Sequence, residues 1–176
     1  MTVAEFLAWP GDGTGRVYEL VDGELRAQDA ASDTHGTIQS ELVYLITAHL
    51  RLARPNCRVV AQPGIQPKLR ADWNFRIPEI AVTCTPNRAD VHKTPDAVVI
   101  VEILSPSNAA DTWNNVALFA TLPTVAEILV VESEKVGAHL LQRGGLEALA
   151  QEQLGTGLQQ AVARGQGRLV HPGVIL

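Results

Sequence analysis

The 176 residues are enough for one domain of ordinary size. Hydrophobic residues make up 46% and charged residues 19%, which supplies one sizeable core and excludes a disordered chain. The formal net charge of −5 argues against non-specific coating of nucleic acid, although Arg51, Arg54, Arg58, Lys68, Arg70 and Arg76 are available for a local basic strip, with an ordinary solvated face as the alternative.

Thr2 with Glu5 three residues later reads as a capping box, opening a short helix through Trp9 that Pro10-Gly11-Asp12-Gly13 stops. Val17 to Leu20 and Glu24 to Arg26 flank Val21-Asp22-Gly23, and Asp-Gly between short strands predicts a β-hairpin. From Asp33 to about Arg54, Ile38, Leu42, Leu45, Ile46 and Leu50 recur mostly at steps of three and four, which predicts a long amphipathic helix with Asp33 as N-cap and Pro55 as stop. Strands are predicted over Cys57 to Ala61, Gly64 to Pro67 and Arg76 to Thr83. Asp96 to Leu104 carries Val98, Val99, Ile100, Val101, Ile103 and Leu104, the composition of a central strand covered on both faces. Ser105-Pro106-Ser107 breaks it, a helix follows over Asp111 to Thr121, and strands follow over Val125 to Glu132 and Val136 to Arg143. The tail from Leu146 reads as short strands.

These elements predict a single α/β domain over residues 1–176 with a mixed sheet, since no repeat or linker divides the chain. The longest apolar run, Ala97 to Leu104, is too short for a bilayer, and the N-terminal residues lack a signal-peptide pattern; a cytoplasmic protein is expected. Cys57 and Cys84 lack CxxC spacing and are expected to be ordinary buried thiols.

Chemistry is suggested by Glu102, an acid inside the most apolar strand, where an ionised carboxylate is costly unless it is paired or binds a metal. It stands near the strand's end, the usual place for ligand sites on α/β sheets. Glu79, in Arg76-Ile77-Pro78-Glu79-Ile80-Ala81-Val82, is a second such acid. If the two strands are neighbours, the carboxylates can share one Mg²⁺, which would lower the pKa of a water and stabilise charge on a scissile phosphate. The bland alternatives are a carboxylate satisfied by an amide or arginine for Glu102 and a solvent-facing acid for Glu79. His49, His92, His139 and His171 have no ligand spacing, and no glycine-rich phosphate loop or nucleophile elbow is present.

Tyr18-Glu19-Leu20-Val21-Asp22-Gly23-Glu24-Leu25, His35, Ile77-Pro78-Glu79-Ile80, Val101-Glu102-Ile103-Leu104-Ser105-Pro106-Ser107 and Pro123-Thr124-Val125-Ala126-Glu127-Ile128 together resemble the Uma-two family of putative restriction endonucleases, in order along nearly the whole chain. The resemblance implies the restriction-endonuclease-like fold of the PD-(D/E)xK nucleases, a central mixed β-sheet flanked by helices. It further implies Mg²⁺ held by Glu79 and Glu102. Glu19 and His35 fall at family positions, Glu19 as a further acid facing the metal and His35 near the phosphate, against bland readings as a strand residue and a helix-capping residue. Glu24 reads as a solvated strand residue, and Asp111, Trp113, Leu118 and Phe119 as capping and packing residues.

Two departures stand out. The family's aspartate after proline is Glu79, one methylene longer, and the usual lysine two residues past the glutamate is Leu104. The relocated lysine of similar sequences falls at Asn115, which is neutral and can place a water without supplying charge; Lys93, in the loop from Arg88 to Pro95, is the lysine that could swing in as a substitute. The expected function is a Mg²⁺-dependent endonuclease acting on DNA with a degenerate centre. The alternatives are a catalytically inactive nuclease-fold module binding nucleic acid or protein, either one as a homodimer, and an unrelated α/β domain whose buried acids are structural.

Overall fold

The computed structural model describes residues 1–89, 92–147 and 149, with the backbone of 168 and 169. Helix α1 (Val3–Ala8) has the expected capping box: the Thr2 side chain accepts from the Glu5 amide, and the Glu5 carboxylate accepts from the Thr2 amide. Strands β1 (Tyr18–Val21) and β2 (Glu24–Ala27) form the expected antiparallel hairpin. Its turn needs positive φ at two successive residues, 51° at Asp22 and 90° at Gly23, which is why Asp-Gly stands there. The hairpin is tied to the body by reciprocal backbone hydrogen bonds between Leu20 and Phe75, and Val3, Leu20 and Phe75 bury together over Phe6 and Ile77.

Helix α2 (Asp33–Ala53) starts one residue earlier than expected, because Ser32 and not Asp33 is the N-cap: the Ser32 hydroxyl accepts from the His35 amide. Asp33 lies in the first turn, where its charge complements the helix dipole. The main sheet runs in the order β3 (Arg58–Ala61), β4 (Ile80–Thr83), β5 (Ala97–Leu104), β6 (Glu127–Glu132), β7 (Ala138–Gln142), β8 (Arg168–Leu169). All pairs are antiparallel except β5 with β6, which helix α3 (Ala109–Ala120) connects as a crossover. This is the expected mixed sheet with helices.

Two expected strands shrink. Over Gly64 to Pro67 only Ile65 forms a bridge, to Arg76, because Pro63 and Pro67 bracket a segment too short to extend the ladder. Over Arg76 to Thr83 only Ile80 to Thr83 join the sheet: Phe75 and Arg76 pair with Leu20 and Ile65, and Pro78 lacks an amide proton. Residues 143–147 are helical, not strand, which seats Leu146, 2% exposed, in the core. The remaining expectations for the tail lie outside the described residues, apart from β8.

The core joins Ala81 and Ile100 of the sheet to Val116 and Phe119 of α3, with Val125, Ile128 and Val130. Cys57 and Cys84 are not the expected free thiols: they form a disulfide, Cα to Cα 3.9 Å. The register pairs Arg58 with Thr83, so the next residues outward, Cys57 and Cys84, come opposite each other, which spacing in sequence does not show. Among the described residues no helix is long and apolar enough to cross a membrane.

Candidate active site

The register of β4 on β5 pairs Ile80 with Val101 and Ala81 with Ile100. Continuing it one step past the strand end sets Glu79 opposite Glu102, and facing residues of an antiparallel pair point to the same side. That side is the one on which Ala81 and Ile100 meet α3. Both acids line one open cleft of about 890 Å³, together with Glu19, His35 and Asn115. All five residues singled out from the sequence therefore converge.

Each is held by a different device. Glu102 is 6% exposed; burial, then the charges of Glu79 and Glu19, push its carboxyl well above the ordinary 4.5, against hydrogen bonds from the Asn115 side chain and the Glu79 amide. Its Oε1 is buried without a partner, and so is Oδ1 of Asn115. Glu79 has both oxygens engaged from α2: His35 Nε2 lies 2.8 Å from Oε1, and Gln39 Nε2 donates to Oε2 at 2.9 Å and to the Glu79 carbonyl at 3.1 Å. His35 is thus neither a surface residue nor only a member of the first helical turn. Glu19 Oε1 accepts from the Ile77 amide at 2.6 Å, bracing the segment that carries Glu79, and burial raises its carboxyl against the Ile77 hydrogen bond and the Arg76 charge.

Gln39 was not singled out in the sequence, yet its signal is there: it follows His35 by four residues, so the two share one helix face. Arg76 is the buried cation of the cleft, 6% exposed, with Nη2 donating to Asn74 Oδ1 at 3.0 Å. Arg26 pairs with Asp111 at 3.1 Å, exposed at the rim of the cleft, so Asp111 is not a cap but an ion-pair partner. Leu104 packs against the core where the usual lysine would stand. Lys93 is not a substitute either: it donates to Gln66 Oε1 at 3.2 Å and lines two other clefts. Glu24 is exposed, as expected.

With this geometry in place, the chain can be set beside known proteins. The model of the family Uma2, putative restriction endonuclease, matches residues 3–167. The chain belongs to the Uma2 family. A crystal structure of a putative nuclease belonging to DUF820, from Anabaena variabilis ATCC 29413, superposes with a TM-score of 0.62 at 19% identity, over 81% of this chain and 80% of that one. The shared architecture is the restriction-endonuclease-like fold. A cryoEM structure of a DrdV–DNA complex matches 71% of this chain and 12% of its own at 12% identity, with a TM-score of 0.38. No curated protein matches.

Whether this Uma2 centre suits a divalent cation is a question of its donors. Among the described residues no group of three or more His, Cys, Asp or Glu is placed to hold a metal. Mg²⁺ does not require one, since it commonly takes one or two carboxylates and keeps several waters. Two facing carboxylates, with a partnerless carboxylate oxygen beside a partnerless amide oxygen, form a donor set of hard oxygens. The residues fit.

Proposed function

We propose that this Uma2 protein is a Mg²⁺-dependent endonuclease that hydrolyses phosphodiester bonds of DNA, slowed by the loss of the lysine. The observation that carries the reading is the pair of buried, partnerless oxygens, Glu102 Oε1 and Asn115 Oδ1, on the face shared with Glu79. Glu79 and Glu102 would hold the ion, which when bound lowers the pKa of a water and offsets charge on the phosphate. Asn115 orients the attacking water through its amide, and Glu19 and His35 fix the acids in place. His35 and Gln39 orient the Glu79 carboxylate, as outer-shell partners do at metal sites.

Gln39→Leu should therefore weaken Mg²⁺ affinity about 10–100-fold in a calorimetric titration, with the melting temperature little changed because Gln39 is only partly buried. The proposed activity itself is tested by Mg²⁺ calorimetry and plasmid nicking on the wild type. Binding with nicking supports the enzyme, and the absence of binding removes it. Binding without nicking supports the second reading, an inactive DNA-binding module, which the neutral Asn115 and the core-packed Leu104 favour.

For the assembly we propose a homodimer. Helix α2 buries only His35 and leaves Tyr44, Leu45 and Leu52 66%, 50% and 89% exposed, an apolar stripe on which a second copy would pair across a two-fold axis. Tyr44→Glu/Leu52→Glu should then sediment as a monomer where the wild type sediments as a dimer. The proposed compartment is the cytoplasm, and the Cys57–Cys84 disulfide is the observation that bears against it, since such bonds are rare there.

A further inference from the structure

A second cleft, of about 210 Å³, opens on the edge strand β3, and its described lining residues include Arg58, Arg88, His92 and Lys93 but no Asp or Glu. Arg58 and Val60 line it from alternate positions of β3, as one face of a strand must, and Gln62 lines it just beyond the strand's end. Arg58 Nε is buried without a hydrogen-bond partner, a donor with nothing to receive it. Among the described residues the hydrogen-bond partner of Lys93 Nζ is the neutral Gln66 Oε1, at 3.2 Å. The loop bearing His92 and Lys93 is pinned by Thr94 N–H donating to the Gly64 carbonyl at 2.8 Å, and Gly64 must be glycine: a Cβ would lie 2.3 Å from Phe75 Cζ and 2.7 Å from the His92 carbonyl.

This basic cleft adjoins the acidic one. Gln62 lines both, and its amide, in a left-handed residue with φ 46°, donates to the Glu79 carbonyl at 2.9 Å. A strand of regularly spaced phosphates that placed one phosphate at the acids would carry a neighbouring one across Gln62 towards Arg58 and Lys93. We infer that the Arg58–Lys93 cleft is a phosphate-binding subsite that holds the DNA backbone beside the scissile position. The inference rests on the DNA-cleaving reading for its ligand.

The test is anisotropy of a short fluorescein-labelled DNA duplex in Ca²⁺, which suppresses cleavage, over a range of salt. The variant Arg58→Gln/Lys93→Gln is compared with Arg16→Gln/Arg143→Gln, which removes the same charge from exposed positions outside both clefts. Because two cations would no longer neutralise phosphates, the slope of log K against log salt should flatten by about 2 and affinity should fall about 10-fold. The control pair should leave both unchanged, and Mg²⁺ calorimetry should give the wild-type affinity in every variant. An unchanged slope in Arg58→Gln/Lys93→Gln, an equal weakening in the control, or no duplex binding by the wild type overturns the subsite. So does inorganic phosphate that binds the wild type, fails to bind Arg58→Gln/Lys93→Gln, and leaves duplex affinity untouched, since the cleft would then serve a free anion. A wild type that binds no Mg²⁺ would overturn the nuclease reading alone, because the salt slope is measured separately.

Discussion

Glu102→Gln is expected to abolish Mg²⁺-dependent nicking, by more than the roughly 100-fold seen when outer-shell partners are removed, and at the same time to stabilise the metal-free protein. Both effects have one cause. Burial and the nearby charges of Glu79 and Glu19 raise the Glu102 carboxyl well above 4.5, so its ionised form is costly in the empty fold and useful only with a cation beside it. Glutamine keeps the shape, removes the charge and still accepts from Asn115 and the Glu79 amide. The expected gain is about 1 kcal/mol, or about 2–4 °C in Tm for a chain of this size.

The sign with pH follows from linkage. Because the folded carboxyl binds its proton more tightly than the unfolded one, the wild type has its full stability below the ordinary value of 4.5 and loses it as pH rises from there through the raised folded value. Glutamine does not titrate, so the Tm difference between variant and wild type, measured without metal, should be smallest in acid and grow towards neutral pH. A difference that is flat with pH would mean that Glu102 carries no charge penalty in the fold.

Asn115→Lys is the second large expectation. Asn115 sits on α3 beside Glu102 with one amide oxygen already partnerless, at the position where the family resemblance places a lysine. A lysine there would bring a cation to the phosphate, and preorganised charge of this kind is worth about 100-fold or more in rate. Nicking by Asn115→Lys should rise by about that factor, and the rise should vanish in Asn115→Lys/Glu102→Gln. If Asn115→Lys binds Mg²⁺ and still does not nick, the protein is a binding module whose defects extend past one lysine.

Much of this was legible in the residues because local rules and the fold agreed. The Thr2–Glu5 box, the Asp22-Gly23 turn and the Val-rich run around Ile100 each have one low-energy reading, and the structure adopts it. The pairing of Glu79 with Glu102 was anticipated only as a condition, since which strands are neighbours depends on contacts far apart in sequence. Where readings failed, a tertiary partner had intervened. Arg76 left the expected strand to pair with Ile65, Leu146 drew a helical turn into the core, and the β3–β4 register brought Cys57 to Cys84. Arg76 gave no signal of function, because an Arg in a basic run is ordinary until Glu19 is seen beside it. The one signal of Gln39, its four-residue spacing from His35, gains meaning when Glu79 is seen to meet both.

The central claim is that Glu79 and Glu102 share one divalent ion. Mn²⁺ titration followed by electron paramagnetic resonance counts the bound ion directly, on the wild type, Glu79→Gln and Glu102→Gln. A single tight ion per chain in the wild type, absent from each single variant and displaced by Mg²⁺, is the expected result; a wild type that binds none, or a variant that keeps the ion unchanged, would contradict it.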